Sequence, residues 1–346
     1  MTLFRPTRRE FIASIPLIAG AASLPAPLLA QPAETPLNFL VVGDWGRGGH
    51  HNQQAVADLM GEKAAEKHTA FIASTGDNFY MFGVSGVDDP KWRSSFENVY
   101  RGPGYEGVPW YPVLGNHDYG GNVQAQIDYG RAHPGRWQMK HHYYQRSLTS
   151  PGGATMDLFF IDTVMWIGRE GFPFYFLGSR IGPDDQRRQA AWLVAALGAS
   201  RARFKFVFGH HGIHSIGPHG GEMQMAQLDD VLRRFGVTAY IHGHDHCLFH
   251  ISHSAIDPGN GTGRQMHYIC SGGGSQILAT YTGGPVSGCV YRGFCDAAGA
   301  DSPFPHWQAF IRDAGYAAFD VYRDRVDFRF HNLSDPSDRG YHATLT

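Results

Sequence analysis

This sequence of 346 residues has few cysteines, no long run of charge of one sign and no internal repeat. None of its four cysteines belongs to a Cys-x-x-Cys pair, so a zinc site built from thiolates is not expected. The 29 Lys and Arg residues nearly balance the 31 Asp and Glu residues, which argues against a nucleic-acid partner. The absence of a fixed period excludes collagen-like, coiled-coil and solenoid architectures. With 42% hydrophobic residues, the chain can bury the core of one large or two ordinary domains.

The first 30 residues are expected to be an export signal. Residues 7–12 contain the pair Arg8-Arg9 of a twin-arginine pattern, and a moderately apolar stretch follows over residues 12–29. An ordinary membrane anchor is the alternative, but this stretch carries residues that disfavour a spanning helix, namely Pro16, Gly20, Pro25 and Pro27. We therefore predict cleavage after Ala30, use of the twin-arginine export machinery of a bacterium, a periplasmic or secreted location and no stable membrane anchor.

An oxidising compartment would permit disulfide bonds among the four cysteines. Four cysteines allow three connectivities, and the sequence cannot choose among them. We favour a bond between Cys289 and Cys295 that closes a small loop, and a bond between Cys247 and Cys270 that joins two neighbouring strands.

After the signal, segments with strand-like and helix-like patterns alternate. Apolar spacing predicts helices over Gln53–Glu66, residues 183–197 and Gln227–Phe235, a buried strand over Leu158–Ile161, and a C-terminal hairpin of residues 316–322 and 326–330. The pattern indicates an α/β chain with a sheet core between helices, and no linker divides residues 37–346, which are predicted to be a single domain. Two irregular stretches, residues 166–182 and 280–304, are either lids over a site or simple loops.

Five short apolar runs end in glycine and lead directly into polar residues. Each run is rich in β-branched and aromatic residues, which indicates a buried strand, and the glycine permits a sharp turn at the strand's carboxyl end. The polar residues that follow the five runs are Asp44, then Asp77 and Tyr80, then Asn116, then His210, and finally His244 and His246. Because such strand ends meet at one edge of a sheet, we expect these seven side chains to share a pocket.

The chemistry of these side chains suits a pair of metal ions. A two-metal hydrolytic site needs a bridging ligand, and the two oxygens of Asp77 are suited to that role. Asp44 and Tyr80 supply hard anionic oxygens, which a trivalent ion such as Fe(III) prefers. Asn116, His210 and His244 supply less charged donors, which suit a divalent ion. Each motif alone is weak evidence for a metal site, whereas all five motifs in this order are strong evidence for one.

The five blocks resemble those of the purple acid phosphatases, within the metallophosphoesterase superfamily, and most closely the small single-domain tartrate-resistant type. The resemblance extends from about Leu37 to His331. It implies a four-layer α-β-β-α sandwich of two packed mixed sheets flanked by helices. It also implies Fe(III) bound by Asp44, Asp77, Tyr80 and His246, and a second, divalent ion (Fe, Zn or Mn) bound by Asp77, Asn116, His210 and His244.

The same resemblance implies that the chain would be an acid phosphatase that hydrolyses phosphate monoesters. A metal-bound hydroxide would attack the phosphorus, while His117 and His219 bind the phosphate and protonate the leaving group. His117 directly follows Asn116, and His219 lies at the spacing from His210 that the family uses. The alternative for both histidines is a supporting role around the metal ligands. We expect Asp118 and Asp245 to orient imidazole rings.

Three other functions remain open. The same metal core serves exported phosphodiesterases that act on nucleotides or phospholipid headgroups. A di-iron redox protein that makes or removes peroxide is a second alternative, and an exported protein that only binds metal or phosphate is a third. The natural phosphate ester, the second metal and the oligomeric state are left open by the sequence.

Overall fold

A computed structural model describes residues 34–167, 183–252, 265–278, 306–337 and 339–345 of the protein. Within these ranges the α-helices are α1 (Gln53–Lys67), α2 (Val123–Ala132), α3 (Thr163–Ile167), α4 (Pro183–Ala199) and α5 (Ala226–Arg234). The strands are β1 (Leu37–Val42), β2 (Phe71–Ser74), β3 (Trp110–Pro112), β4 (Tyr144–Thr149), β5 (Thr155–Phe160), β6 (Phe204–Phe208), β7 (Ala239–His242), β8 (Leu248–Ser252), β9 (His267–Ser271), β10 (His306–Ile311), β11 (Gly315–Val321), β12 (Val326–Asn332) and β13 (His342–Leu345). The three predicted helices are all present.

The strands form two mixed sheets. The first has the order β13-β12-β11-β1-β2-β3, and the second has the order β10-β8-β9-β7-β6-β5-β4. In the first sheet β1, β2 and β3 are parallel, and in the second β5, β6, β7 and β9 are parallel, while the outer strands run antiparallel. The predicted C-terminal hairpin is the antiparallel pair β11 and β12, with Val321 opposite Val326 at its tip.

Alternate residues of β1 pack on opposite faces of the first sheet. Phe39 points between the two sheets, where its ring stacks on Phe71 and Phe319 at centroid distances of 4.7 and 4.6 Å. It also meets the edge of Phe206, on the second sheet, at 5.6 Å. Burial of one such phenylalanine side chain contributes about 1.5–3 kcal/mol, so this aromatic layer fixes the sheets face to face.

Helices cover the two outer faces. Leu40 and Val42, on the opposite face of β1, share a buried cluster with Val56 and Met60 of α1. On the far side, residues of the second sheet pack against α4 and α5 in a further buried cluster, which includes Leu193, Val207, Leu228 and Tyr240. The result is helix, sheet, sheet and helix in four layers, which confirms the predicted α-β-β-α sandwich. Beyond residue 33 the chain forms one compact unit.

The five predicted strands with glycine-terminated ends are β1, β2, β3, β6 and β7. The third ends earlier than expected, at Pro112, although the Val113 amide still donates to the Ser74 carbonyl at 2.9 Å. Trp166, expected to begin a loop, lies in α3. Most of the two proposed lids, the export signal and the cysteine pair Cys289 and Cys295 fall outside the described residues.

The predicted disulfide between Cys247 and Cys270 is wrong, because both thiols are free and buried. The strand register gives the reason. Cys270 on β9 lies opposite Phe249, and the Cys270 thiol donates to the backbone carbonyl of Cys247 at 3.4 Å. Among the described residues, no helix combines the length and the apolar character needed to cross a bilayer.

Candidate metal centre

The backbone is left-handed at four of the seven predicted ligand positions. The φ angle is 60° at Asp44, 50° at Asp77, 70° at His244 and 49° at His246. A residue other than glycine costs roughly 1–3 kcal/mol in such a conformation, and such residues concentrate at functional sites. The fold therefore maintains local strain at the turns that present these side chains.

Two of the motif glycines permit contacts between loops that no other residue would tolerate. A Cβ atom on Gly115 would lie 2.2 Å from Oδ1 of Asp77, and one on Gly243 would lie 2.5 Å from Oδ2 of Asp44. Real Cβ atoms essentially never approach other heavy atoms below 3.0 Å. The glycines thus let a loop from one strand press against a carboxylate presented by another.

One group of converging side chains contains Asp44, Tyr80 and His246. The Tyr80 hydroxyl lies 3.1 Å from Oδ1 of Asp44 and 3.0 Å from Nε2 of His246. The same His246 nitrogen is 3.6 Å from Oδ1 of Asp44. Three donor atoms from three separate loops therefore face one small volume, and all three residues are buried.

A second group contains Asn116, His210 and His244, and Asp77 lies between the two groups. Nε2 of His210 is 3.0 Å from Oδ1 of Asn116 and 3.5 Å from Oδ1 of Asp77. The His210 and His244 rings are 5.0 Å apart. Ligand-type atoms of Asp44, Asp77 and His210 all lie within 4.8 Å of one another. The structure therefore brings all seven predicted side chains together.

The hydrogen bonds of two histidines fix which ring nitrogen carries the proton. Nδ1 of His210 lies 2.8 Å from the Thr75 carbonyl, and Nδ1 of His246 lies 2.7 Å from the Gln276 carbonyl. A carbonyl only accepts hydrogen bonds, so each Nδ1 is the donor and each Nε2 presents a lone pair. Burial lowers the pKa of His210 to about 3 and that of His246 to about 4, so both rings are neutral near pH 7.

This tautomer leaves two acceptors facing each other. Nε2 of His210 and Oδ1 of Asn116 are 3.0 Å apart, and neither carries a hydrogen atom that would bond to the other. A cation between them would turn this repulsion into two favourable contacts. Nitrogen and oxygen donors of this kind bind divalent transition metals, so the donor set fits a metal ion.

The buried carboxylates also indicate a metal site. Asp44 is fully buried, and burial together with the nearby charge of Asp77 raises its pKa well above the usual range. Burial, followed by the charges of these two carboxylates, also raises the pKa of Tyr80. Imidazoles lie beside both carboxylates, with His246 beside Asp44 and both His117 and His210 beside Asp77, but the rings of His210 and His246 are neutral near pH 7 and supply no counter-charge. Metal cations would stabilise the ionised oxygen donors.

His117 and His219 border this cluster. Nδ1 of His117 is 2.7 Å from the Met81 carbonyl, which leaves Nε2 on the side of Asp77, 3.9 Å from its Oδ2. The His219 ring stacks on His244 at a centroid distance of 4.3 Å. Both histidines therefore lie at the edge of the cluster.

Comparison with known proteins agrees with this geometry. Residues 37–248 match the family model of the calcineurin-like phosphoesterases. Purple acid phosphatase 3 of Arabidopsis thaliana is 37% identical over 273 residues, which cover 75% of this chain and 68% of that protein. Tartrate-resistant acid phosphatase type 5 of Homo sapiens is 34% identical over 270 residues, which cover 75% of this chain and 78% of that protein. The chain belongs to the purple acid phosphatase family.

Solved structures support the fold of this family member. A purple acid phosphatase from yellow lupin (Lupinus luteus) seeds matches 90% of this chain and 54% of its own, with a TM-score of 0.58 and 12% identity. GAP50, described as the anchor in the inner membrane complex of Plasmodium, matches 90% of this chain and 89% of its own, with a TM-score of 0.69 and 24% identity. Membership of the purple acid phosphatase family confirms the predicted enzyme class, a phosphatase, and implies a dimetal centre.

Two aspartates of this purple acid phosphatase site act differently from the prediction. Asp118 accepts hydrogen bonds from the backbone amides of Gly115 at 2.9 Å, Asn78 at 3.1 Å and Phe79 at 3.2 Å. Asp245 accepts from the Ser215 hydroxyl at 2.5 Å and from a backbone amide at 2.8 Å. Burial raises the pKa of each to about 7. They hold loop backbone in place, and among the described residues no hydrogen bond joins either carboxylate to an imidazole ring, so that expectation was wrong.

Sequence reasoning missed Thr163 and Arg47. The Thr163 hydroxyl accepts hydrogen bonds from the backbone amides of His210 and His211 at 3.2 and 3.1 Å, and it lies 2.8 Å from Nδ1 of His211. The guanidinium carbon of Arg47 lies 3.6 Å from the centroid of the Tyr80 ring. Two signals in the sequence could have indicated these residues. Thr163 lies just after β5, and Arg47 lies just after the first motif.

Proposed function

We propose that this chain is an acid phosphatase that hydrolyses phosphate monoesters with a mixed pair of metal ions. Fe(III) would be held by Asp44, Asp77, Tyr80 and His246, and a divalent ion (Fe, Zn or Mn) by Asp77, Asn116, His210 and His244. The observation that carries this proposal is the convergence of seven buried ligand-type side chains, among which Nε2 of His210 and Oδ1 of Asn116 face each other at 3.0 Å as two acceptors with no proton between them.

The charge of the two donor groups supports an asymmetric pair. Asp44 and Tyr80 bring two oxygens that are anionic when ionised, and burial opposes their ionisation. A trivalent cation provides the stronger compensation there. Asn116 and the two histidines of the other group are neutral donors, which suit a divalent ion. Asp77, between the groups, supports a role as the ligand shared by both ions.

Bound metal ions would neutralise the phosphate charge and make water a competent nucleophile at acidic pH. The side chains at the border of the cluster would complete the reaction. Nδ1 of His117 is engaged with the Met81 carbonyl, so Nε2 would be the nitrogen that gives a proton to the departing oxygen. His219, whose ring stacks on that of His244, would donate a hydrogen bond to the phosphate.

The test is to reconstitute the protein with iron and zinc and compare two substrates at acidic pH. We expect p-nitrophenyl phosphate to be hydrolysed faster than bis(p-nitrophenyl) phosphate, and Asp77→Asn to lose both activity and metal. Asp327→Asn, a change on the distant strand β12, is the matched control. A preference for the bis-ester would favour a phosphodiesterase instead. Metal binding without hydrolysis would contradict the enzyme, and peroxidase activity that survives in a hydrolysis-deficient variant would favour the redox function.

We also propose export through the twin-arginine machinery, supported by Arg8-Arg9 and the apolar stretch after it. Replacement of both arginines by lysine preserves the charge but removes the motif. We expect the wild-type protein in the periplasmic or secreted fraction and the double variant in the cytoplasm. Equal distribution of the two proteins would contradict this route.

A further inference from the structure

Arg47 lies at the border of the proposed metal site. Its guanidinium carbon is 3.6 Å from the centroid of the Tyr80 ring, and the same ring lies 4.4 Å from the ring of His117. Arg47 and His117, the histidine that we propose to contact the leaving group, therefore both lie beside the Tyr80 ring. No part of the proposed reaction uses this arginine.

The side chain is fixed along its length. The Arg47 amide donates to Oε1 of Gln53 at 2.9 Å, and Nε donates to the hydroxyl of Ser275 at 3.2 Å. Ser275 is buried and in turn donates to the Asp44 carbonyl. Together with the stacking on Tyr80, these contacts hold the guanidinium in one place before any ligand arrives, which reduces the entropy lost on binding.

The terminal nitrogens of Arg47 are not used by these contacts. Among the residues that the structure describes, neither Nη group makes a hydrogen bond, and no carboxylate forms an ion pair with the guanidinium. Among the described residues this guanidinium has no directly paired carboxylate, and the two metal cations that we propose nearby would add further positive charge, which is electrostatically unfavourable. An anion at this position would remove that cost. The two Nη groups match the oxygens of a phosphate or carboxylate in bidentate geometry.

We propose that Arg47 recognises a second anionic group of the substrate, adjacent to the phosphoryl group that is cleaved. This rests on the proposed phosphatase function, in which the metals, His117 and His219 already account for the first phosphate. The favoured substrates are then phosphoanhydrides with a neighbouring phosphate. In pyrophosphate, one phosphorus gains the oxygen of water, the bridging P–O bond breaks, and the protons of water are shared between the two orthophosphate products.

The first test compares pyrophosphate with p-nitrophenyl phosphate, which has no second anionic group. In Arg47→Gln we expect kcat/KM to fall about 10- to 100-fold for pyrophosphate, because a charge-assisted bidentate contact is lost. For p-nitrophenyl phosphate, kcat/KM should fall only a few-fold. Arg47→Lys keeps the positive charge but loses the two-pronged guanidinium, so its kcat/KM for pyrophosphate should lie between those of the wild type and Arg47→Gln. Arg131→Gln, which changes an exposed arginine on α2, is the matched control and should alter neither value.

A binding measurement avoids reliance on turnover. Calorimetry on the metal-loaded protein should show methylenediphosphonate binding at least about 10-fold more tightly than methylphosphonate, and Arg47→Gln should reduce this ratio to about 3-fold or less. Equal losses for both substrates, an unchanged ratio, or a loss of metal in Arg47→Gln would overturn the proposal. If the wild-type protein bound metal but hydrolysed neither substrate, the phosphatase function would fail, while the phosphonate ratio would still test Arg47.

Discussion

Replacing Gly115 by alanine tests whether the loop contacts at the strand ends set the position of Asp77. The new Cβ would lie 2.2 Å from Oδ1 and 2.3 Å from the amide nitrogen of Asp77. To reach the shortest tolerated separation of 3.0 Å, Oδ1 would have to move by about 0.8 Å (3.0 − 2.2). Metal–ligand distances tolerate about 0.2 Å, and a misplacement of about 1 Å costs on the order of 100-fold in rate.

We therefore expect Gly115→Ala to reduce hydrolysis of p-nitrophenyl phosphate by about 100-fold or more and to reduce the metal content. Overpacking should also lower the free energy of unfolding by about 1–3 kcal/mol, measured by chemical denaturation. The matched control is Gly135→Ala, because a Cβ there has no neighbour within 4 Å. Wild-type activity and full metal content in Gly115→Ala would refute the argument that this glycine is required for the close approach to Asp77.

Two further predictions concern buried titratable groups that are not themselves predicted metal ligands. Asp118→Asn removes a carboxylate that accepts hydrogen bonds from three backbone amides. We expect the unfolding free energy, measured by chemical denaturation, to fall by about 1–3 kcal/mol for each amide left unpaired. An unchanged denaturation midpoint would contradict this prediction. His250 and His267 are buried, with Nε2 of one 2.9 Å from Nδ1 of the other, and burial lowers their pKa values to about 2 and about 4. The unfolded chain binds protons at these histidines below about pH 6.5, so stability should fall as the pH drops from there through the folded pKa values. Between pH 6.5 and pH 4 the unfolding free energy of His267→Gln should fall by on the order of 3 kcal/mol less than that of the wild type. Parallel curves of unfolding free energy against pH for the two proteins would contradict this assignment.

Much of the fold and the convergence of the site could be predicted from local sequence. A short apolar run followed by glycine and a polar residue reports both a buried strand and the direction of the next side chain, as at Val42 and His210. These signals lie within a few residues of one another in the chain. The purple acid phosphatase resemblance then supplied the four-layer arrangement, which periodicity alone does not determine.

The errors came from contacts between distant segments. Cys247 and Cys270 lie on neighbouring segments, but the register that places Cys270 opposite Phe249 is not visible in sequence. The backbone amides held by Asp118 come from two loops, and the position of Arg47 depends on Tyr80 across another turn. Such relationships are set by packing between loops, for which a single sequence carries no direct signal.

The most direct test of the central claim is elemental analysis of the purified protein together with its visible spectrum. Convergence of seven donors on two ions predicts about two metal atoms per chain, at least one of them iron, and a broad visible band from Fe(III)–phenolate charge transfer. Tyr80→Phe should lose that band while it remains folded. Fewer than one metal atom per chain after reconstitution, or a band that persists unchanged in Tyr80→Phe, would contradict the account.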